Sequence, residues 1–283
     1  MEVAKRIEDL RRIIPAAKQE GRTVGLVPTM GALHAGHLSL IQNSKEHGDF
    51  TVVSVFVNPT QFGPNEDYAR YPRPIEADIE KCREAGVDVV FAPSVDVMYP
   101  EGFGTYVDVE GVTSMLEGAA RPGHFRGVAT VVLKLFAAVE PTRAYFGMKD
   151  YQQLKVIEKM VRDLNVKLEI VPAPIFREPD GLAMSSRNAY LKPEERQAAL
   201  VLYRALNAAK EAVKNGTKDS AGIYRAVSDI IEAEPLAEID YVAVIDPETL
   251  APIDKMVDKV LVALAVRIGS VRLIDNMLIG GNK

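Results

Sequence analysis

Along the first two thirds of the chain, short apolar runs alternate with longer segments that mix hydrophobic and polar positions. Five apolar runs bounded by Gly, Pro or charged residues predict strands, at 23–28, 50–59, 87–93, 143–147 and 167–177. Amphipathic segments predict helices between them, at 6–21, 37–48, 74–86, 127–139 and 151–165. Pro15 is expected to kink or divide the first of these helices. Strands alternating with helices indicate an α/β fold with a doubly wound, Rossmann-like parallel sheet, whose strand C-termini share one edge.

The order of predicted elements changes after about Arg187. A long helix is predicted over 192–216, with Pro193 in its first turn, and a second helix over 219–233. Three short strands are expected around 239–245, 260–266 and 271–279. We therefore expect a larger domain at 1–187 and a smaller α+β domain at 188–283.

Composition and charge narrow the function classes. The chain has 283 residues, is 47% hydrophobic and carries a formal net charge of -5, which argues against a nucleic-acid partner and leaves small anionic substrates open. No apolar run approaches the roughly 18–20 residues of a membrane span, and the N-terminus lacks the apolar core of a signal peptide. The one cysteine, Cys82, cannot form an internal disulfide, so a cytoplasmic location is expected.

The segment "PTMGALHAGHLSL", residues 28–40, places His34 and His37 where a predicted strand meets a helix. Free backbone N–H groups and the helix dipole attract anions at such a position. Gly36 permits close approach to the backbone, and imidazoles donate hydrogen bonds to phosphate oxygens. The pattern favours a nucleotide triphosphate site. The alternatives are histidines that cap the helix or bind metal, although two histidines without a third ligand make a weak metal site.

Two motifs in order resemble a known superfamily. The H-x-G-H pattern at 34–37 is similar to the signature of the nucleotidyltransferases, which include class I aminoacyl-tRNA synthetases. The segment "GLAMSSRN", 181–188, is similar to their second signature, with Ala183 and Arg187 where lysines stand in the synthetases. The wider set of segments resembles the pantoate–β-alanine ligase family over nearly the whole chain. These segments are "VPTMGALHAGH", "VFVNPTQFGPNEDYARYPR", "RPGHFRGVATVV", "YFGMKDYQQL" and "REPDGLAMSSRN".

The resemblance implies a reaction that joins ATP, pantoate and β-alanine to give pantothenate, AMP and pyrophosphate. It further implies a pantoyl-adenylate intermediate, a Mg²⁺ requirement, a homodimer and a place in coenzyme A biosynthesis. A simple nucleotidyltransferase of the same superfamily is the alternative enzyme, and a nucleotide-sensing protein is the non-enzymatic alternative. The enzyme and the sensor differ in whether pyrophosphate release depends on pantoate.

The resemblance also implies that the domain at 1–187 binds nucleotide and pantoate, and we expect the domain at 188–283 to act as a lid. It further implies roles for individual residues. His37, as proton donor, His34 and Lys149 are the expected catalytic residues. The expected ATP-binding residues are Met30, Gly31, Ala32, Leu33, His34, Ala35, Gly36, His37, Gly147, Met148, Lys149, Asp150, Phe176, Met184, Ser185, Ser186 and Arg187. Pantoate is expected at Gln61, Gln153 and Asn58, and β-alanine at Gln61. Phe176 replaces a smaller aliphatic residue of the family, which matters only if its side chain packs on adenine.

Four further residues keep two interpretations each, and no metal ligand is assigned. Arg121, His124 and Arg126 either hold the pantoate carboxylate or brace the fold. Asp78 either helps to bind Mg²⁺ or the β-alanine amine, or is an exposed helix carboxylate.

Overall fold

The computed structural model describes residues 1–64 and 66–281. The chain forms two compact units. The first contains residues 1–148 and 152–174, and the second contains 149–151 together with the chain from Ile175 onward. The division of the chain into domains 1–187 and 188–283, with the second as a lid, stays a prediction.

The first unit contains a six-stranded parallel sheet, which confirms the predicted fold class. Its strands are β1 (Glu2–Ala4), β2 (Val24–Thr29), β3 (Phe50–Val55), β4 (Val89–Phe91), β5 (Arg143–Gly147) and β6 (Glu169–Ala173). Sequence analysis missed β1, because three residues are too short to show a period. Both faces of the sheet are covered: Leu26 and Val52 face one apolar cluster, whereas Val27 and Val53 face another.

Seven helices accompany this sheet in the described part of the chain. They are α1 (Ile7–Gln19), α2 (Ala35–Glu46), α3 (Ile75–Glu84), α4 (Val95–Met98), α5 (Glu117–Ala120), α6 (His124–Val139) and α7 (Tyr151–Asp163). The prediction that Pro15 divides the first helix is wrong, since α1 continues through it. Ile14 and Ala17, on either side of Pro15, are both buried, and their packing outweighs the lost backbone hydrogen bond. Across residues 1–64 and 66–281, no helix combines the length and apolarity required to cross a bilayer.

The strand order β1-β4-β3-β2-β5-β6 reverses direction at β2. From β2 the chain proceeds through β3 to β4 on one side, and β5 and β6 lie on the other side. Ligands of open α/β sheets bind outside the strand C-termini at such a reversal. The segments that follow Thr29 and Gly147 therefore border the expected ligand position of this unit.

The second unit is an α+β structure, as predicted. It contains α8 (Pro193–Ala198), α9 (Val201–Lys214), α10 (Ser220–Glu232) and an antiparallel sheet of β7 (Ala237–Ile245), β8 (Lys259–Ile268) and β9 (Val271–Gly280). The predicted helix over 192–216 is divided into α8 and α9. The backbone tightens there, because Leu200 N–H bonds the Gln197 carbonyl and Leu202 N–H bonds the Ala199 carbonyl, each three residues back. The tight turn leaves Ala199 fully buried.

Candidate functional site

The two histidines of the sequence motif cap α2 together. His34 is the N-cap, and its Nδ1 accepts a hydrogen bond from Gly36 N–H at 3.1 Å. The Nδ1 atom of His37 accepts one from His34 N–H at 3.3 Å. This is the reciprocal arrangement of a capping box, with imidazoles in place of hydroxyl and carboxylate. The rings stack with their centroids 4.0 Å apart.

These hydrogen bonds assign the protons of both rings. An Nδ1 atom that accepts a backbone hydrogen bond carries a lone pair, so each ring is neutral and holds its proton on Nε2. His34 and His37 are thus suited to donate hydrogen bonds through Nε2, whereas the role of His37 in proton transfer stays a prediction.

The loop before these histidines has an unusual backbone. Gly31 and Ala32 both have left-handed φ angles, +83° and +50°, and Ala32 has a Cβ that disfavours this conformation. Asp78 of α3 holds the loop, because its two carboxylate oxygens accept hydrogen bonds from Ala32 N–H and Leu33 N–H, each at 2.8 Å. Lys81, one turn further along α3, donates to the Leu33 carbonyl at 2.6 Å. One helix therefore fixes the shape of the loop.

The structure corrects the interpretation of Asp78 as an exposed helix carboxylate, which is wrong. Asp78 is 0% exposed, because α3 packs this side chain against the loop after β2. Gly31 makes the approach possible, since a Cβ there would lie 2.9 Å from an Asp78 oxygen and 3.0 Å from Val55. Sequence reasoning did not single out Lys81. Its spacing from Asp78, three residues along one helix, was the only signal.

The side-chain amide of Gln61 lies buried beside the same loop. Gln61 Nε2 donates to the Met30 sulfur at 3.1 Å, and its Oε1 accepts from Asn58 Nδ2 at 3.0 Å. Asn58 is 1% exposed and also bonds the Gly127 carbonyl and the Tyr99 hydroxyl. Asn58 therefore orients the amide of Gln61, and its expected contact with pantoate stays a prediction.

A second network holds the main chain of Gln61. His124 Nδ1 donates to the Gln61 carbonyl at 2.8 Å, and Arg121 donates to His124 Nε2 at 3.0 Å. Arg121 also pairs with both oxygens of Glu66 at 2.7 Å. Burial, reinforced by the neighbouring guanidinium, lowers the pKa of His124 to about 4, so the ring is neutral near pH 7. For Arg121 and His124, these contacts support the bracing interpretation.

Arg126, the third basic residue of this segment, lies elsewhere. Its guanidinium is 3.3 Å from Asp108 and stacks 4.2 Å from the centre of the Tyr106 ring. Its side chain is 50% exposed. The contacts describe a surface residue that packs on its own neighbours.

Gly127 explains how α6 reaches the Gln61 turn. A Cβ at this position would lie 2.3 Å from the Thr60 carbonyl oxygen and 2.6 Å from Gln61 N. Only glycine permits that backbone approach. Sequence analysis missed this role. The available signal was a glycine inside an apolar helical pattern, which often marks close packing.

At the end of β5, the surroundings of Gly147 are open, since nothing lies within 4 Å of a Cβ built there. Gln153 of α7 is partly buried. The adjacent Gln152 has a structural role, because its side chain accepts from Glu117 N–H and donates to the Val112 carbonyl. The expected role of Gln153 as a pantoate ligand stays a prediction.

The second unit contains the remaining predicted ATP-binding residues except Met148, which belongs to the first unit. Lys149 Nζ lies 3.9 Å from Asp150 Oδ1, and the Lys149 carbonyl accepts from Asn276 of β9 at 2.8 Å. Phe176 and Met184 face each other across a short hairpin, with Met184 N–H donating to the Phe176 carbonyl at 3.0 Å. Phe176 is 42% exposed, and its expected contact with adenine stays a prediction.

The serine-rich segment forms a tight turn directly after that hairpin. Ser185 Oγ accepts from Arg187 N–H at 3.3 Å and caps a short 3-10 helix over Ser186–Tyr190. Asn188 Nδ2 donates to the Ala183 carbonyl at 3.1 Å. The hydroxyls and the guanidinium expected at phosphate thus lie on a turn that is held by side-chain hydrogen bonds.

Comparison with known proteins identifies the family of this chain. Residues 2–278 match the model of the family described as Pantoate-beta-alanine ligase. Pantothenate synthetase of Acetivibrio thermocellus is 57% identical over 279 residues, covering 99% of each chain. That of Moorella thermoacetica is 55% identical over 282 residues, covering 100% of each.

Solved structures agree with the sequence comparisons. Pantothenate synthetase from Thermus thermophilus has a TM-score of 0.94 at 51% identity, over 98% of this chain and 99% of that one. The pantoate-beta-alanine ligase from Francisella tularensis, complexed with beta-gamma ATP and beta-alanine, has a TM-score of 0.81 at 36% identity, over 98% and 97% of the two chains. The chain therefore belongs to the pantoate–β-alanine ligase family and is an enzyme of pantothenate synthesis.

Proposed function

We propose that this enzyme makes pantothenate in two steps, through a pantoyl adenylate. A pantoate carboxylate oxygen attacks the α-phosphorus of ATP, and the bond from that phosphorus to the β-phosphate oxygen breaks, which releases pyrophosphate. The neutral amine of β-alanine then attacks the acyl carbon, the bond to AMP breaks, and the amine loses a proton. The relatives' names and the ligands of the Francisella tularensis complex support this proposal.

The observation that carries the proposal is the stacked pair of His34 and His37. Two neutral imidazoles with protons on Nε2 lie at the start of α2, directly after the strand where the sheet order reverses. Hydrogen-bond donors fixed in advance stabilise the negative charge that develops as pyrophosphate leaves. The loop from Met30 to Leu33, held by Asp78, completes this phosphate-binding segment.

For the remainder of ATP we propose the residues expected from the family resemblance. Lys149 contacts phosphate as a compact cation, and Gly147 and Asp150 lie at the ribose, where a carboxylate accepts hydroxyl hydrogen bonds. Met148 is a further ATP-binding residue. The further ATP-binding residues are Phe176, Met184, Ser185, Ser186 and Arg187. The order of the turn at 184–187 supports their assignment.

Pantoate and β-alanine are assigned to the amide side chains. Gln61 and Gln153 donate and accept hydrogen bonds, which suits a substrate with hydroxyl groups and a carboxylate. Asn58 supports Gln61, whose side chain also serves β-alanine. The fixed orientation of the Gln61 amide between Asn58 and Met30 supports this role.

We propose that Mg²⁺ enters with ATP, where it neutralises phosphate charge. Among residues 1–64 and 66–281, no group of three or more His, Cys, Asp or Glu side chains is placed to hold a metal ion. Magnesium that acts on nucleotides keeps several waters and binds phosphate oxygens together with one or two carboxylates, so such an ion does not require a cluster of protein ligands. We assign it no protein ligand.

We also propose a cytoplasmic homodimer. A single buried cysteine suits a reducing compartment, and the homodimer follows from the family resemblance. The alternative of a simple nucleotidyltransferase finds no support among the relatives, which are named as synthetases and ligases. The two activities differ in product, since only the ligase releases AMP when an amine is added.

The proposal is tested by mixing the enzyme with ATP, Mg²⁺ and pantoate, then adding β-alanine. Pyrophosphate release that requires pantoate, followed by AMP and pantothenate on amine addition, is the expected result. Replacing His37 or Lys149 with alanine should reduce the first step by at least about 100-fold with the fold intact, since each removes a group that stabilises transition-state charge. Near-normal pyrophosphate release in either variant would refute the role of that residue.

A further inference from the structure

A buried ion pair with an attached amide lies on β9 of the second unit. Asp275 and Asn276 are 3% and 4% exposed. Arg177 pairs with both oxygens of Asp275, at 2.6 and 2.9 Å, in the bidentate geometry that fixes both position and orientation. The guanidinium also lies 4.7 Å from the centre of the Tyr203 ring. We name Arg177, Asp275 and Asn276 the β9 cluster.

The β9 cluster binds the main chain of two separate segments. Asn276 Nδ2 donates to the Lys149 carbonyl at 2.8 Å. Arg177 donates to the Gly181 carbonyl at 3.1 Å and to the Asn276 carbonyl at 3.3 Å. The segment 149–151 belongs to this unit although the chain on both sides of it belongs to the other, so the hydrogen bond from Asn276 holds a short segment of only three residues.

The hairpin end of the β9 cluster is equally constrained. Gly181 has a φ of +98°, and a Cβ there would lie 1.9 Å from the Tyr203 ring. Gly181 N–H bonds the Glu178 carbonyl at 2.8 Å, which closes the turn that leads to Ser185 and Ser186. The hydrogen bond from Arg177 to the Gly181 carbonyl therefore sets the start of the predicted phosphate-contacting turn.

An ion pair of this kind is a weak source of stability. Desolvation of two buried charges offsets much of their attraction, and apolar replacements of similar volume are often as stable. Burial raises the pKa of Asp275, while Arg177 and the charge of Lys149 act in the opposite direction. The ion pair instead fixes the position and orientation of the groups bonded to it. Lys149 and the predicted phosphate-contacting turn require such fixed positions.

We infer that the β9 cluster is the positioning device for the ATP-contacting residues of the second unit, with Asn276 as the positioning residue for Lys149. This inference rests on the proposed role of Lys149 at phosphate. Asn276 acts through the main chain of Lys149 and need not contact substrate itself. Removing its donor frees the Lys149 segment, and a displacement of about 1 Å at a reacting group can cost about 100-fold in rate.

The test uses N276L, which keeps a similar volume and removes the donor, in the full-length enzyme. N207L is the matched control, because Asn207 Nδ2 donates to the Tyr203 carbonyl at the same distance of 2.8 Å in the same unit. Pantoate-dependent pyrophosphate release is measured for both, for K149A and for the double variant K149A/N276L. Thermal unfolding midpoints of all variants accompany the kinetics.

We expect N276L to lower kcat/KM for ATP by about 10- to 100-fold, with the KM for pantoate within about twofold of wild type. N276L should have little further effect in the K149A background, because residues that act as one unit are not additive. The inference would be overturned if N276L and N207L had the same kcat/KM for ATP. It would also be overturned if N276L lowered kcat/KM in the K149A background by the same factor as in the wild type. Near-normal kcat/KM in K149A would instead refute the proposed role of Lys149.

N276D supplies the test if N276L does not fold. Its ionised carboxylate cannot donate to the Lys149 carbonyl, whereas its protonated form can. The ratio of N276D to wild-type kcat/KM for ATP should therefore rise as the pH is lowered. A ratio independent of pH would overturn the inference, because the protonated side chain regains the donor to the Lys149 carbonyl.

Discussion

Replacing Asp78 with asparagine tests whether a buried carboxylate shapes the histidine loop. Asp78 accepts two backbone hydrogen bonds at 2.8 Å and is 0% exposed. The asparagine of D78N keeps one oxygen, which can accept from only one of the two backbone donors, Ala32 N–H and Leu33 N–H. Its new NH₂ group faces the other N–H, which loses its acceptor. Hydrogen bonds to charged groups contribute about 1.5–3 kcal/mol, and an unsatisfied buried N–H costs about 1–3 kcal/mol. We expect the free energy of unfolding to fall by about 3 kcal/mol.

The loop that D78N perturbs carries the proposed phosphate-binding residues. We therefore expect kcat/KM for ATP to fall by at least about tenfold, which corresponds to about 1.4 kcal/mol of transition-state stabilisation. Urea unfolding and steady-state pyrophosphate release measure the two effects. D49N is the matched control, because Asp49 is 1% exposed and bonded to Arg143 and Tyr145 at the opposite end of β3.

D49N should lose stability but keep a near wild-type kcat/KM for ATP. The reasoning fails if D78N unfolds at the wild-type urea midpoint, because the two hydrogen bonds would then contribute nothing. It also fails if D78N is destabilised as D49N is and yet turns over ATP like the wild type, because the loop shape would then be independent of Asp78.

Three further predictions follow from the same part of the molecule. The pKa of His124 falls from 6.5 to about 4 on folding. Protonation of this residue therefore costs the folded state up to about 3 kcal/mol as the pH falls from 6.5 to 4, and urea unfolding of H124N should show a weaker pH dependence. G127A places a Cβ 2.3 Å from the Thr60 carbonyl oxygen, so stability should fall by about 1–3 kcal/mol and the KM for pantoate should rise, while G63A, with ordinary contacts at 3.7 Å, changes neither. Burial, with a smaller effect of the nearby carboxylate, raises the pKa of Cys82 to about 12, so iodoacetamide should alkylate it only after unfolding, as mass spectrometry would detect.

Each of these predictions has a contrary result. An H124N variant with the same loss of stability between pH 7 and pH 4.5 as the wild type would show that His124 does not titrate between those values on unfolding. Wild-type pantoate kinetics in a folded G127A variant would separate Gln61 from the contact at Gly127. Rapid labelling of Cys82 in the native enzyme at pH 8 would show that the thiol is neither buried nor neutral.

The alternation of strands and helices was readable from the sequence, because each buried strand is a continuous apolar run and each helix has a polar face. Val52 and Val53 belong to such a run, and the structure buries them on opposite faces of one sheet. The histidine cap was equally local, since His34 and His37 contact their own helix start. Local interactions depend on residues a few positions apart, which a linear pattern contains.

The sequence did not predict where these local rules fail. Pro15 remains inside a helix and Ala199 lies at a break between two, the reverse of what propensity predicts. In both cases buried neighbours decide the outcome, because tertiary packing supplies more free energy than the backbone preference of one residue.

The chain's sequence by itself determined the fold class, the family resemblance and the position of the two histidines. Only the tertiary structure decided that Asp78 is buried against Ala32 and that Asn276 holds Lys149. Each of these pairs joins residues far apart in sequence, so no local pattern connects its two members. Which polar side chain meets which backbone amide depends on how whole elements pack, because a buried polar group must find its partner wherever the fold brings one within reach.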